Sequence, residues 1–473
     1  MSKRLSALVT SALLVGGLFV GAPAPAYAAD PAVTYYVAQS GTPDGDGSSC
    51  TDPDFVGGDR TPIAAAAFAA TNGDTIYICA GTYAIETQVV LGGGLTLQGA
   101  GDGVTILDGG NTFNEDGSSN NDGDRILDGS GAITLSDITF QNAFNGAISA
   151  ADVALAVFSS SFLNNTTNHY GGAIYNGDSG MVTIIDSTFT NNTATDSGGA
   201  VWTATAVVSD STFTNNDAAD DGGAIGTDFG NVTATNSTFT GNTADDKGGA
   251  IYTLNTGVTV TNSTFTDNSA EDDGGAIRAY TVTATNSTFA GNTSVNDDGG
   301  AIHADNDATV TRSIFTGNTA NEGGAIDATT ATVTNSTFTK NTVTVYGGAI
   351  YANTATVSSS RFTDNKADVE GGAILAGPGT IITRSRFTRN TAGEHGGAML
   401  LYAPNSADLQ QLRGNTFMRN SAPAGGAITL GPCVVPSRSQ AASVERANRF
   451  SGNRATEQRR TQNIERWDDG GCG

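Results

Sequence analysis

Four acidic pairs recur along the chain: Asp220 and Asp221, Asp245 and Asp246, Asp272 and Asp273, Asp297 and Asp298. Paired carboxylates can divide the proton transfers of a hydrolase or lyase. Stacked carboxylates can instead surround a hard cation, and calcium accepts about six to eight oxygens. A catalytic site is a single constellation, whereas these pairs obey a repeat. Lys247 and Arg278 are also the only Lys or Arg between residues 200 and 300. No catalytic residue is therefore assigned and no cofactor is required. Asp245, Asp246, Asp272, Asp273, Asp297 and Asp298 stand as candidate calcium ligands, with solvated turns the preferred reading. Carboxylates about 5 Å apart repel by roughly 0.8 kcal/mol in water, so such a column either spreads into solvent or takes up a cation.

A second set lies further on, where Arg361, Arg384, Arg386, Arg389, Arg413 and Arg419 gather with Asp364, Glu370 and Glu394. Together they would suit an acidic sugar, although a surface stripe balancing an acidic front is the simpler expectation. His169, His303 and His395 are scattered, and none has metal-site spacing.

The elements that must position these residues are legible from self-similarity. A Gly-Gly-Ala-(Ile/Val/Met) box begins at Gly171, Gly198, Gly222, Gly248, Gly274, Gly299, Gly323, Gly347, Gly371, Gly396 and Gly425. A Phe-x-x-Asn box keeps step with it from Phe162 to Phe450. Between the boxes run short alternating segments rich in Val and Thr, such as VTVTNSTF at 258–265, which read as half-buried strands. No period has room for a helix. One unit has too little apolar surface to fold alone, so units stack, each strand finding a parallel neighbour about 4.8 Å away. The expected fold is all-β, a single-stranded right-handed parallel β-helix with a short N-terminal helical cap. Ile, Val and Phe form inward ladders, the Gly pair takes a corner with positive φ, and the box Asn bonds to its equivalent in the next coil. Outward Thr pairs, for example Thr259 with Thr261 and Thr281 with Thr283, would form a flat array of the kind that binds ice, although Thr is also an ordinary strand residue.

Four segments are expected. Residues 1–28, with Lys3, Arg4 and an apolar run, read as a signal peptide. Residues 29–84 form an N-terminal cap whose helix starts with Thr61 as N-cap and Pro62 in its first turn. Residues 85–430 are the β-helix repeats, with a loop at 111–124. Residues 431–473 are the last coil and an Arg-rich C-terminal cap. The even cysteine count in an exported chain suggests two terminal staples, Cys50 with Cys79 and Cys433 with Cys472.

Charge narrows the partners. The chain carries a formal −25, and it is uneven: residues 30–360 hold 37 acids against 6 Lys or Arg, while residues 361–473 hold 10 against 14. Nucleic acid is thereby disfavoured, and no membrane-spanning segment is expected in the mature chain.

The opening YYVAQSG, GDTIYICAGTY and LTLQGAGDGVTILDGG resemble the start of pectate-lyase-like right-handed parallel β-helix proteins. The phased GGAI and FxxN boxes resemble the repeats of polymorphic outer membrane proteins, the chlamydial surface adhesins. These resemblances imply a secreted or surface-associated, non-catalytic protein with an adhesin-like binding or structural role, glycan contact being the expected use. The membrane barrel of those adhesins is not expected here, and a monomer is. The alternative is an extracellular lyase or hydrolase of acidic polysaccharide, but the NTD and RIK segments of polygalacturonases are missing, and GHG survives only as Glu394-His395-Gly396-Gly397.

Overall fold

The computed structural model describes residues 32–42, 47–85, 88–110, 125–150, 152–402, 406–431, 437–456 and 463–466. The expected signal peptide, the 111–124 loop and the Cys433–Cys472 bridge lie outside the described residues. The elements below all belong to one unit, Val33–Gly473. Among the described residues its strands form three sheets of 26, 15 and 12 strands. Alternation dictates their faces: Val258 and Val260 are buried and pair in parallel with Val282 and Ala284, while Thr259 stands exposed beside Thr283. The outward Thr columns are in register, with one correction. Thr281 stands beside Gly257, so the pair of that coil is Thr283 and Thr285.

The second sheet carries the box Phe, and like residues in register stack. Adjacent rings from Phe140 through Phe265 to Phe338 lie with centroids 4.6 to 5.0 Å apart, for example 4.7 Å and 2° between planes for Phe239 and Phe265. Offset apolar stacking of this kind adds to the burial of each ring. At the following corner the box Asn runs as a fully buried ladder. Asn268 Nδ2 donates to Asn292 Oδ1 at 2.9 Å and to the Phe239 carbonyl at 3.0 Å, and Asn242 Nδ2 donates to Asn268 Oδ1 at 2.9 Å. A buried Ser ladder, which the alternation does not announce, closes the other end of that strand: Ser237 N donates to Ser263 Oγ, and Ser263 N to Ser287 Oγ, both at 3.2 Å.

The two box glycines answer different demands. Gly274 has φ +69°, a left-handed conformation suited to glycine, whereas a Cβ on Gly275 would run into the Gly300 carbonyl of the next coil.

Both caps are helical. Thr61–Ala69 buries Ile63, Ala66 and Ala67 in the core, but its N-cap is Arg60 and not Thr61. Asp59 Oδ1 accepts from Thr61 N at 2.9 Å instead, because the helix begins one residue earlier than the Thr-Pro pair suggests. Thr34–Ala38 and Thr75–Ile78 already pair with the first sheet, so stacking reaches into the segment expected as cap. Cys50 and Cys79 are joined. In the Arg-rich segment, Arg438–Ala447 is a helix with a capping box between Ser437 and Gln440, and it buries Val444. Among the described residues no helix is long and apolar enough to cross a membrane.

Candidate functional site

Each Gly-Gly corner is flanked by two side chains that leave the outer face of the coil: the residue just before the first Gly, and the residue just after the box Ile. The repeat constrains neither, because neither packs in the core. In the second column the register runs Tyr175, Trp202, Gly226, Tyr252, Arg278, His303, Asp327, Tyr351, Leu375. In the first column each box Gly donates its N–H to the next coil's member, Gly222 to Lys247, Gly248 to Asp273, Gly274 to Asp298, Gly299 to Glu322 and Gly323 to Tyr346. The columns face each other across the corner. Tyr170 lies 4.6 Å from Trp202, Tyr346 lies 6.2 Å from Tyr351, and His303 Nδ1 lies 3.3 Å from Asp273. The result is a groove along the stack whose lining changes coil by coil.

Its first stretch is aromatic. Tyr170 is 39% exposed and covers Trp202, and the Arg125 guanidinium sits 5.9 Å from the centre of the Tyr175 ring. Arg125, His169, Tyr170 and Tyr175 line a cleft of about 260 Å³. Beyond the floor residues, Phe229, Leu254 and Tyr280 are exposed in consecutive coils.

The middle stretch is charged and half-buried. Arg278 lies over the Tyr252 ring at 5.5 Å and pairs with Asp305 at 3.0 Å. His303 Nδ1 sits between Asp273 at 3.3 Å and Asp327 at 3.4 Å, while Nε2 is 3.5 Å from Asp305. Neither His303 Nδ1 nor the buried Asp298 Oδ1 has a partner in hydrogen-bond geometry. Burial, then the neighbouring acids, push Asp298 up to about 6 and Glu322 up to about 7. Burial also carries Asp327 up to about 7 against the pull of His303, and Asp221 up to about 7 with Asp220 and Asp246 adding to it. Burial opposes the His303 imidazolium, but Asp305, Asp273 and Asp327 together outweigh it and raise the group. At the far end Glu370 is buried, accepts from the Tyr402 hydroxyl at 3.1 Å and lies 3.3 Å from His395 Nδ1.

The acidic pairs therefore do not share one register. Asp221, Asp273 and Asp298 occupy the groove column, but Lys247 takes that slot in its coil. Asp246 stands instead between Asp220 and Asp272, whose backbones it links, and pairs with Lys247 at 2.8 Å. Asp245 and Asp297 are exposed. Three of the four sets of acids or His whose ligand atoms lie within 4.8 Å of one another draw on these coils: Asp220, Asp221, Asp246; Asp273, Asp297, Asp298; and Asp298, Glu322, Asp327. Asp246, Asp273, Asp297 and Asp298 are thus placed where a cation could be held, whereas Asp245 and Asp272 are in none of these sets.

Two of the three histidines, scattered in sequence, join the groove columns beside acids. The C-terminal set divides: five of the arginines and Asp364 lie on the strands and corners of the second sheet, with Arg413 beside them at the end of the first, whereas Glu370 and Glu394 approach His395 at the groove. Trp202, Tyr252, Glu322 and Asp327 escape sequence reasoning focused on what repeats. The signal that would have found them is the reverse, the columns beside each box whose residue type changes along the stack.

The family model described as Right handed beta helix region matches residues 126–294 and 173–343. The Chlamydia polymorphic membrane protein repeat matches residues 335–353 and 359–377. No curated protein sequence matches. Among solved structures the chain is similar to a mannuronic acid specific polysaccharide family 6 lyase from human gut microbiota, at 10% identity and TM-score 0.37, covering 80% of this chain and 85% of that one. It is also similar to the alginate lyase AlyF-OU02, at 12% identity and TM-score 0.34, covering 79% and 85%.

Proposed function

For a right-handed parallel β-helix carrying polymorphic membrane protein repeats, we propose a non-catalytic surface role in which the groove holds a neutral glycan chain, in the manner of an adhesin. One observation carries this reading. The core columns repeat through every coil, while the two columns lining the groove vary from aromatic to charged and back. A side chain freed from the repeat and placed in a cleft beside aromatic rings is what recognition of a sugar chain requires. The carboxylates of the middle stretch would repel a polyanion, which favours a neutral ligand. The repeat family, named for chlamydial membrane proteins, supports a cell-surface or secreted location.

The test is a glycan array probed with and without calcium. Neutral oligosaccharides are expected to be retained, and Tyr170→Ala, which removes the exposed ring, to weaken them about tenfold. An array without signal from the folded protein would end the proposal.

A second reading, cleavage of the bound glycan, is favoured by the middle stretch alone. Asp298 and Glu322 are raised to about 6 and 7 beside His303, a range suited to proton transfer near neutrality. New reducing ends or unsaturated products from a polysaccharide panel, lost in Asp327→Asn, are the expected outcome of that reading. Their absence removes it.

Calcium enters as part of the same proposal. A divalent ion among Asp298, Glu322 and Asp327 would discharge repulsion and give the buried Asp298 Oδ1 a partner. After chelation, added calcium is expected to raise the melting temperature by several degrees, roughly the effect of 1–2 kcal/mol. An unchanged transition discards the ion.

A further inference from the structure

The arginines of the rear coils are separate from the groove and do not depend on it. Five of them lie along the second sheet and its corners, and Arg413 stands beside them at the end of the first sheet, in register with Thr383. Arg361 is in register with Arg386 on adjacent coils. Arg384 N donates to the Arg413 carbonyl at 3.2 Å. Arg389 and Arg419 occupy the same corner of successive coils, with φ +55° for each. All six are exposed, and the one carboxylate paired with them among the described residues is Asp364, which Arg389 holds at 2.7 Å.

Two features of this face work against stability. Like charges stand opposite each other across adjacent strands, a destabilising arrangement. The corner slots, moreover, are left-handed. The coils from Asn236 to Gly291 fill them with residues that tolerate that conformation, Asn236, Asn262 and Asn286 before the strand, Gly241 and Gly291 after it, whereas Arg312 and Lys340 and then Arg384, Arg389 and Arg419 adopt it further on. Upstream, the strand position of Arg361 and Arg386 is held by Thr, as at Thr238, Thr264 and Thr288. Cations enter the corner slots at Arg312 and Lys340, and between Arg361 and Arg419 they hold the strand position and both corners together.

We propose that this face binds a linear polyanion lying along the stack, a sugar polymer with one carboxylate or phosphate per repeat. The guanidinium fork matches either oxyanion bidentately. Neighbouring coils set the cations about 4.8 Å apart, close to the length of one sugar ring, so a rigid chain with an anion on each ring meets successive pairs. Among the described residues the face presents no exposed aromatic side chain on which bases could stack, which distinguishes it from a single-stranded nucleic-acid platform.

The experiment titrates the full chain with polygalacturonate, with poly(glycerol phosphate) and with duplex DNA over a range of salt. It is repeated with a variant combining Arg361→Thr, Arg386→Thr and Arg384→Asn. These residues occupy the same slots in other coils, so the variant is expected to fold and to melt no lower. Saturable binding of one of the first two polymers is expected, about tenfold or more weaker in the variant and with a shallower salt dependence. Tyr170→Ala should leave that binding unchanged, which separates failure here from failure of the groove proposal. Binding that the triple variant retains would overturn the assignment, as would duplex DNA bound as tightly. Salt-reversible self-association without polymer binding would also overturn it, by giving the face to the acidic coils of a second copy.

Discussion

Replacing Asn268 with leucine is expected to destabilise the protein by about 2–6 kcal/mol, the sum of four buried hydrogen bonds lost at roughly 0.5–1.5 kcal/mol each. Asn268 is fully buried and sits mid-ladder. Its Oδ1 accepts from both the backbone and the side chain of Asn242, and its Nδ2 donates to Asn292 Oδ1 and to the Phe239 carbonyl. Leucine is similar in size, so the loss is of hydrogen bonds and not of volume. Aspartate would fare no better, since it keeps the acceptor but turns oxygens toward two other oxygens. In a stack where each coil touches only its neighbours, the damage should stay local. Urea denaturation should show the lower midpoint, and hydrogen exchange should quicken between about residues 239 and 292 and little elsewhere. A variant with the wild-type midpoint would show that the ladder is ornamental.

With EDTA present, the melting temperature is expected to peak near pH 4 and to fall as the pH rises to 8. Asp298, Glu322, Asp327 and Asp221 have raised values in the folded state, about 6 to 7, above those of the unfolded chain. Below the unfolded values both states are protonated at these groups. Between the two values the folded state holds more protons, so the gain over its fully charged form, complete below about pH 4, is lost as pH rises from there through 6 to 7. His303, raised by its carboxylates, loses its contribution in the same direction. Asp59, held down first by the Thr61 amide, and Asp305, held down first by His303, act oppositely, but only in acid, below about pH 4. The acids share one another's repulsion, so the loss between pH 5 and 8 is about 3 kcal/mol and not the sum of separate shifts. Asp327→Asn replaces one charge with a neutral isostere. It is expected to match the wild type near pH 4 and to exceed it by about 1–2 kcal/mol at pH 8. A melting temperature that stays flat or climbs over this range, or an Asp327→Asn protein weaker at pH 8, would contradict the assignment.

The acids illustrate how far a sequence carries. Asp272 and Asp273 are adjacent and look equivalent, yet Asp273 faces His303 and Asp327 while Asp272 stacks on Asp246 outside the groove. Adjacent residues at a corner leave the coil in different directions, and one residue of drift exchanges their roles, as Lys247 does for its coil. The rear arginines show the same limit. Arg389 and Glu394 are five residues apart, but the corner between them sends one to the second sheet and the other to the groove.

The sequence by itself determined the period, the parallel stacking, the inward Phe, Val and Ile ladders, the buried Asn corner and the need for glycine at the Gly-Gly turn. Each is a demand that every coil repeats, so it is written many times over. The tertiary structure alone decided which side chains become neighbours outside the core: Tyr170 over Trp202, His303 between Asp273 and Asp327, arginine beside arginine. These neighbours lie a full coil apart in sequence, and they occupy the positions that packing leaves free. No periodicity records them, and only the winding of the coil brings them together.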